Sequence, residues 1–322
     1  MRFGYWMPIF GGWLRNIEDE GMSTDWAYVR ELAAESEGLG FDLSLIAELN
    51  LNDVKGPQAP SLDAWTLAPA LAAVTRKLEL MLAVRPNYHA PALTAKAIST
   101  LETIAPGRVS LNVVSSWWAE EARQYGVPFD QHDARYTRSE EWLGLLRRLL
   151  SEDQVSHAGE HYTLSGTRLE PKPASPVPVY MGGESPRAKE LITGAADAYL
   201  MHGDPPGVIA GKIADLRARR SAAGRPPMRF GMAAYVICRD TPEEAEAERQ
   251  RITDVKASPQ AYASYQDFVK GSQLESTVSL EEYSVSNRGL RPGLVGTPAQ
   301  IAARIREYEA IGLDLLLIQF SP

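Results

Sequence analysis

Short apolar runs alternate with amphipathic stretches along most of the chain. Runs with strand character occupy 3–8, 43–47, 78–84, 109–114, 179–181, 198–201, 229–238 and 313–319. Most are too short for a helix of ordinary length, and they are rich in Val, Leu, Ile, Met and aromatic residues, as strands covered on both faces are. Between them, 25–39, 63–74, 93–104, 136–150, 186–195, 208–223, 243–255 and 298–311 carry apolar residues at helical spacing. Parallel strands need a crossover between them, and eight βα repeats close a cylinder, so the pattern predicts an α/β fold, a (β/α)8 TIM barrel. Gly38-Leu39-Gly40, Pro106-Gly107 and Gly312 fall between a helix and the next strand, where a residue tolerant of positive φ ends the helix at little cost.

Three longer segments interrupt the rhythm: 49–62, 151–178 and 258–296, insertions after strands two, four and seven. The first and third belong to the carboxyl face of the barrel, where active sites are assembled. The middle one, with His157-Ala158-Gly159-Glu160-His161-Tyr162 and then Pro171-Lys172-Pro173, reads as a small hairpin followed by an extended approach to strand five. The expectation is one domain over 1–322, with 258–296 as a mobile lid. The sequence stops at Phe320-Ser321-Pro322, directly after strand eight, so the eighth helix is expected to be missing, through truncation or because another subunit covers that side.

Charge narrows the partners. With 33 basic against 41 acidic residues the net charge is -8, the wrong sign for wrapping nucleic acid or binding an anionic membrane, and a small molecule fits better. Neither a signal-peptide apolar region nor a membrane-length apolar run is visible, and the chain reads as cytoplasmic. The single cysteine, Cys238, excludes an intramolecular disulfide and is expected to be a buried strand thiol. Five histidines without HxH or HExxH spacing argue against a catalytic metal.

The candidate chemistry clusters at strand ends. Tyr180-Met181-Gly182-Gly183-Glu184-Ser185 runs from a strand into a helix through two glycines, an arrangement that lets backbone N–H groups and the helix N-terminus meet a phosphate. An ordinary capped turn explains the same residues. Asn112 is a polar residue inside an apolar strand, followed by Ser115 and the pair Trp117-Trp118; these suit a ligand edge and an apolar wall, or equally the barrel's internal packing. His132 and Tyr136 lie four apart and can share one helical face. Trp6, Glu48, Arg85, His202 and Tyr235 are placed at the site by strand-end position. Arg85 can bind an anion or pair with a rim carboxylate. Arg288 and Arg291, in the expected lid, can grip an oxyanion or simply solubilise a loop. Glu48, His202, Tyr235 and Arg288 are the catalytic candidates, with no single base singled out.

Taken together, Phe3-Gly4-Tyr5-Trp6-Met7-Pro8, Gly107-Arg108-Val109-Ser110-Leu111-Asn112-Val113-Val114-Ser115, His132-Asp133-Ala134-Arg135-Tyr136, Tyr180–Ser185 and Leu294-Val295-Gly296-Thr297-Pro298 resemble the luciferase-like flavin monooxygenases, over nearly the whole chain. Within them the resemblance is to the alkanesulfonate and dimethylsulfone monooxygenase branch. It implies reduced FMN (FMNH2) and O2 as cofactors, a separate NAD(P)H:flavin reductase, and a homodimer or homotetramer. It places Asn112 and Ser115 beside the isoalloxazine and ribityl chain, and His132, Tyr136, Gly183, Glu184 and Ser185 toward the phosphate. Trp6, Arg85, Trp117, His202, Tyr235, Arg288 and Arg291 would meet an organosulfur substrate whose C–S bond breaks. The chain departs from the alkanesulfonate pattern at Ala233 and Tyr235, where that branch carries Arg and His, and at Ser61, which takes the place of its cysteine. A deazaflavin-dependent oxidoreductase of the same barrel and a non-catalytic flavin-binding protein remain open alternatives.

Overall fold

In a computed structural model, which describes residues 1–254, 265–266, 279–285 and 288–320, the elements follow in the order β1 (Arg2–Trp6), α1 (Trp26–Leu39), β2 (Leu43–Ile46), α2 (Ala64–Val74), β3 (Glu79–Val84), α3 (Pro91–Ile104) and β4 (Val109–Val113). Then come α4 (Ala119–Gln124), α5 (His132–Ser151), β5 (Val155–Ala158), β6 (Thr163–Thr167), β7 (Val179–Met181), α6 (Pro186–Ala195), β8 (Ala198–Met201), α7 (Pro206–Ala222) and β9 (Arg229–Tyr235). The chain continues through β10 (Ile237–Cys238), α8 (Pro242–Thr253), α9 (Leu280–Ser284), β11 (Val295–Gly296), α10 (Pro298–Ala310) and β12 (Leu315–Gln319).

Eight of these strands close a barrel in the order β1-β12-β9-β8-β7-β4-β3-β2, every neighbouring pair parallel. Apart from the β5–β6 hairpin and the small sheet of β10 and β11, this is simple chain order wrapped into a ring. In that ring β1 and β7 stand opposite each other, four strands apart in either direction. Closure leaves no barrel edge, and the strands are buried on both faces, which is why they read as unbroken apolar runs. Gly4 shows how tight the wall is: a Cβ there would sit 2.7 Å from side-chain atoms of both Leu317 and Leu43, the two strands that flank it. Helix starts are set by short polar side chains. Asp25, Asp63, Ser185 and Thr297 each accept a hydrogen bond from the third residue of the following helix, typically worth about 1 kcal/mol per cap.

The structure departs from the pattern in four places. The seventh apolar run breaks at Val236, whose N–H turns to the Gln319 carbonyl, so the run splits into barrel strand β9 and a short β10 that pairs with β11. Cys238 lies in β10 and is exposed rather than buried, because that strand has left the barrel wall. α5 starts at His132, a full turn before its apolar periodicity begins, and α4 is an additional one-turn helix. Of the expected lid, 258–264, 267–278, Ser286 and Asn287 lie outside the described residues. The hairpin after strand four is present as antiparallel β5 and β6. Among the described residues no helix is long and apolar enough to cross a membrane.

Candidate active site

A cavity of about 340 Å³ opens over the carboxyl ends of the barrel strands, within the range of small-molecule sites. All eight barrel strands reach it at or just beyond their ends, through Trp6, Glu48, Arg85, Asn112, Gly182, His202, Ala233 and Gln319. Its two ends differ in chemistry.

The polar end lies over β4 and β7. Gly183 has φ 135°, and a Cβ there would meet Ala188 Cβ at 2.6 Å and the Tyr136 hydroxyl at 3.4 Å, so only glycine leaves this turn open to the cavity. Ser185 does not line the cavity; it caps α6, accepting from Ala188 N–H at 3.1 Å, and so aims the helix N-terminus toward the glycine turn. Across from it, the first turn of α5 presents His132, Arg135 and Tyr136 together, with the His132 and Tyr136 rings 5.1 Å apart. The Arg135 guanidinium is buried over the Phe129 ring at 4.7 Å. Asn112 is buried at the cavity wall, and its amide has no hydrogen-bond partner among the described residues. Ser115, beside it, shares a 2.9 Å hydroxyl contact with Ser139. A glycine cradle, a helix N-terminus, neighbouring Arg and His side chains and an amide open to the cavity together fit a ligand with a phosphate at one end and a polar ring edge at the other.

Beside the glycine turn sits an ion cluster. Glu184 and Asp204 both hold Lys212, the latter at 2.6 Å, and Arg288 reaches Glu184 at 2.6 Å and Asp204 at 3.6 Å. Burial opposes the charge on Glu184, yet the hydrogen bonds from Lys212 and Arg288 outweigh it and hold the carboxyl at about 2. Arg288 has φ 55°, an uncommon conformation for a side-chain-bearing residue, kept by these ion pairs. Arg291 binds Asp204 at 3.0 Å and also Glu282, and does not line the cavity. His202 does line it. Burial first, and the Arg288 charge second, push its imidazole down to about 4, so it is neutral near pH 7.

Glu48 and Arg85 belong to a second buried network. Glu48 accepts from the Arg85 backbone N–H at 2.7 Å and pairs with His89 on its other oxygen. The Arg85 guanidinium pairs with Glu121, which also accepts from the Tyr88 hydroxyl at 3.1 Å, and packs over the Tyr88 ring at 3.9 Å. Arg85 is 2% exposed and lines the cavity; its Nη1 and Nε are taken up by Glu121 and Glu48, while its Nη2 has no hydrogen-bond partner among the described residues. Trp6 and Trp117 line the cavity. The Trp6 Nε1 donor is buried with no partner among the described residues, and Trp117 stacks on Trp118 at 5.6 Å. Tyr235 is buried in the wall of β9, away from the cavity, with its N–H bonded to the Gly289 carbonyl at 2.8 Å.

The apolar end lies over β1 and β2, formed by Phe10, Trp13, Leu49 and Val54. None of these was among the sequence candidates. Ile9-Phe10-Gly11-Gly12-Trp13-Leu14 is too apolar for a solvent-exposed loop, and that was the available signal. Arg135 was visible too, between two residues that were selected.

A closed parallel barrel with a ligand-sized, chemically divided cavity at its carboxyl rim defines a TIM-barrel enzyme. The chain belongs to the luciferase-like monooxygenase family, whose model matches residues 1–315. An FMNH2-dependent dimethylsulfone monooxygenase of Pseudomonas putida is 34% identical over 99% of this chain and 90% of its own length. Two solved structures share the fold: a long-chain alkane monooxygenase, LadA, with TM-score 0.82 and 21% identity over 99% of this chain and 86% of its own; and DmoA from Hyphomicrobium sulfonivorans, with TM-score 0.79 and 20% identity over 99% and 84%.

Proposed function

We propose that the protein is the monooxygenase of a two-component system that uses FMNH2 and O2 to oxidise a small organosulfur compound, a sulfone or a sulfonate, with C–S cleavage that releases sulfinate or sulfite. The observation that carries this reading is the polar end of the cavity, where the Asn112 amide, which makes no protein hydrogen bond among the described residues, opens to the same cavity as the Gly183 cradle. The curated relative at 34% identity, named for FMNH2 and dimethylsulfone, supports it.

In this reading the Gly183–Glu184 backbone and the N-terminus of α6 receive the FMN phosphate, with Arg135, His132 and Tyr136 on its far side. Asn112 supplies hydrogen bonds to the ring edge, and Ser115 borders the ribityl chain. When bound, reduced FMN supplies the electrons that activate O2, delivered by a separate NAD(P)H-dependent flavin reductase. The chain orients the reactants and excludes water: Trp6, Trp117 and the apolar end wall the cavity. His202, neutral at working pH, offers a hydrogen bond to a substrate oxygen without adding charge. Arg288 ties the segment before β11 to the rim through Glu184 and Asp204.

Anaerobic titration with FMNH2, followed by mixing with oxygenated sulfones and sulfonates and assay of sulfite, sulfinate and aldehyde, tests the proposal. Saturable FMNH2 binding and substrate-dependent product are expected. Absence of FMNH2 binding, or binding without product from any organosulfur compound, refutes it.

A further inference from the structure

The two ends of the cavity come from opposite sides of the barrel. The glycine turn follows β7, while Phe10 and Trp13 follow β1, its diametric partner in the ring, and Leu49 and Val54 follow the adjacent β2. A cofactor anchored by its phosphate over β7 therefore leaves the β1–β2 side for whatever reacts with it.

That side is built, not incidental. Residues 7–25 form a loop that folds inward, and Phe10 and Trp13 are 4% and 3% exposed. Buried Glu20 accepts from the N–H groups of Trp13 and Leu14, each at 2.8 Å, and from Lys55 Nζ at 2.6 Å. Lys55 also donates to the Leu14 carbonyl at 2.8 Å, and Asn52 Nδ2 donates to the Phe10 carbonyl at 2.9 Å. The loops after β1 and β2 are thus stapled together, and the staple presents their aromatic and aliphatic side chains to the cavity. The ionic groups nearby are matched: Arg15 and Asp53 pair at 2.8 Å at the same end of the cavity.

Resting on the function proposed above, we infer that this corner seats a hydrocarbon arm of the substrate and makes the enzyme selective for organosulfur compounds whose arm is longer than methyl. A fixed, apolar, preorganised surface with no unmatched charge rewards each added methylene and offers nothing to a second charged group. Phe10, Trp13, Leu49 and Val54 are the specificity-determining residues.

The test is calorimetric titration of the FMN-loaded protein with methyl alkyl sulfones of increasing arm length, methyl through butyl, beside steady-state turnover of the same series. Affinity is expected to rise roughly fourfold per methylene, the equivalent of about 0.8 kcal/mol. Leu49→Trp, at a half-buried position, fills the corner and is expected to flatten the series, costing the butyl member far more affinity than dimethyl sulfone. Phe10→Leu, which shortens the wall, moves the optimum to a longer arm. A flat series in the unmodified protein with turnover intact overturns the inference and leaves the proposed function standing. Failure to bind FMNH2 or to turn over any member refutes the function itself. If Leu49→Trp weakens FMN instead of the longer sulfones, the flavin ring occupies the corner and the inference is wrong.

Discussion

Replacing Asn112 by leucine should lower flavin affinity while leaving the stability of the flavin-free protein nearly unchanged. The two side chains have nearly the same shape, so the substitution removes polarity without opening a cavity. Asn112 is 7% exposed and lines the cavity, and its amide makes no protein hydrogen bond among the described residues, so in the ligand-free protein it faces the open cavity and its loss should change stability by no more than about 1 kcal/mol. In the complex the substitution costs binding. The flavin edge loses its partner and is left unsatisfied, roughly 1–3 kcal/mol, or about 5- to 150-fold in Kd. Denaturant melts of flavin-free protein and fluorescence titration with FMN measure the two numbers. If the variant is markedly less stable, Asn112 has a structural partner and its role in the cavity is refuted; if affinity is unchanged, flavin does not meet it.

Other predictions follow from the same geometry. Gly183→Ala forces a side chain onto φ 135° and within 2.6 Å of Ala188 Cβ, so FMN affinity should fall at least tenfold with a strain cost of roughly 1–3 kcal/mol; an unchanged titration argues against phosphate binding at this turn. Glu20→Ala leaves Lys55 and two backbone N–H groups without their acceptor and should destabilise the protein by roughly 3–5 kcal/mol in a denaturant melt, whereas a loss below about 1 kcal/mol means that the staple is dispensable. Burial depresses the His202 imidazole from its ordinary 6.5 to about 4, so the unfolded chain binds a proton that the folded one declines. Stability should therefore fall as pH drops from about 6.5 to 4, and His202→Gln should flatten that limb of a pH-dependent melting series. Glu184, held at about 2 against an ordinary 4.5, contributes in the opposite sense of charge and a lower window: its stabilisation is complete above about 4.5 and is lost toward 2, where Glu184→Gln removes the slope.

The barrel was legible because burial on both faces imprints a simple pattern. All eight wall strands were visible as apolar runs, and the turns between helix and strand carried glycine or proline where the backbone needed them. Boundaries were less visible. The run at 229–238 looks continuous, yet Val236 turns out of the wall, a decision made by tertiary hydrogen bonds to Gln319 and Leu294 rather than by local preference. The start of α5 at His132 was hidden because its first turn faces the cavity and so lacks a core-facing apolar residue before Tyr136. In the candidate site, residues following strands were easy to nominate, but their partners were not. Arg85 could be placed at the rim from sequence, whereas Glu121, which neutralises it, comes from α4, an element with no periodic signature. Phe10 and Trp13 escaped notice for a related reason: a loop that folds inward uses the same residues as a core, and only the long-range contacts of Glu20 and Lys55 show that it does.

Because the staple between the loops after β1 and β2 closes on itself, those loops form a cassette. An engineer can vary Phe10, Trp13, Leu49 and Val54, keep Glu20, Asn52 and Lys55, and reshape the apolar end of the cavity while the glycine turn across the barrel stays untouched. On the reading proposed above, substrate fit and cofactor grip would be tuned from opposite sides of the barrel.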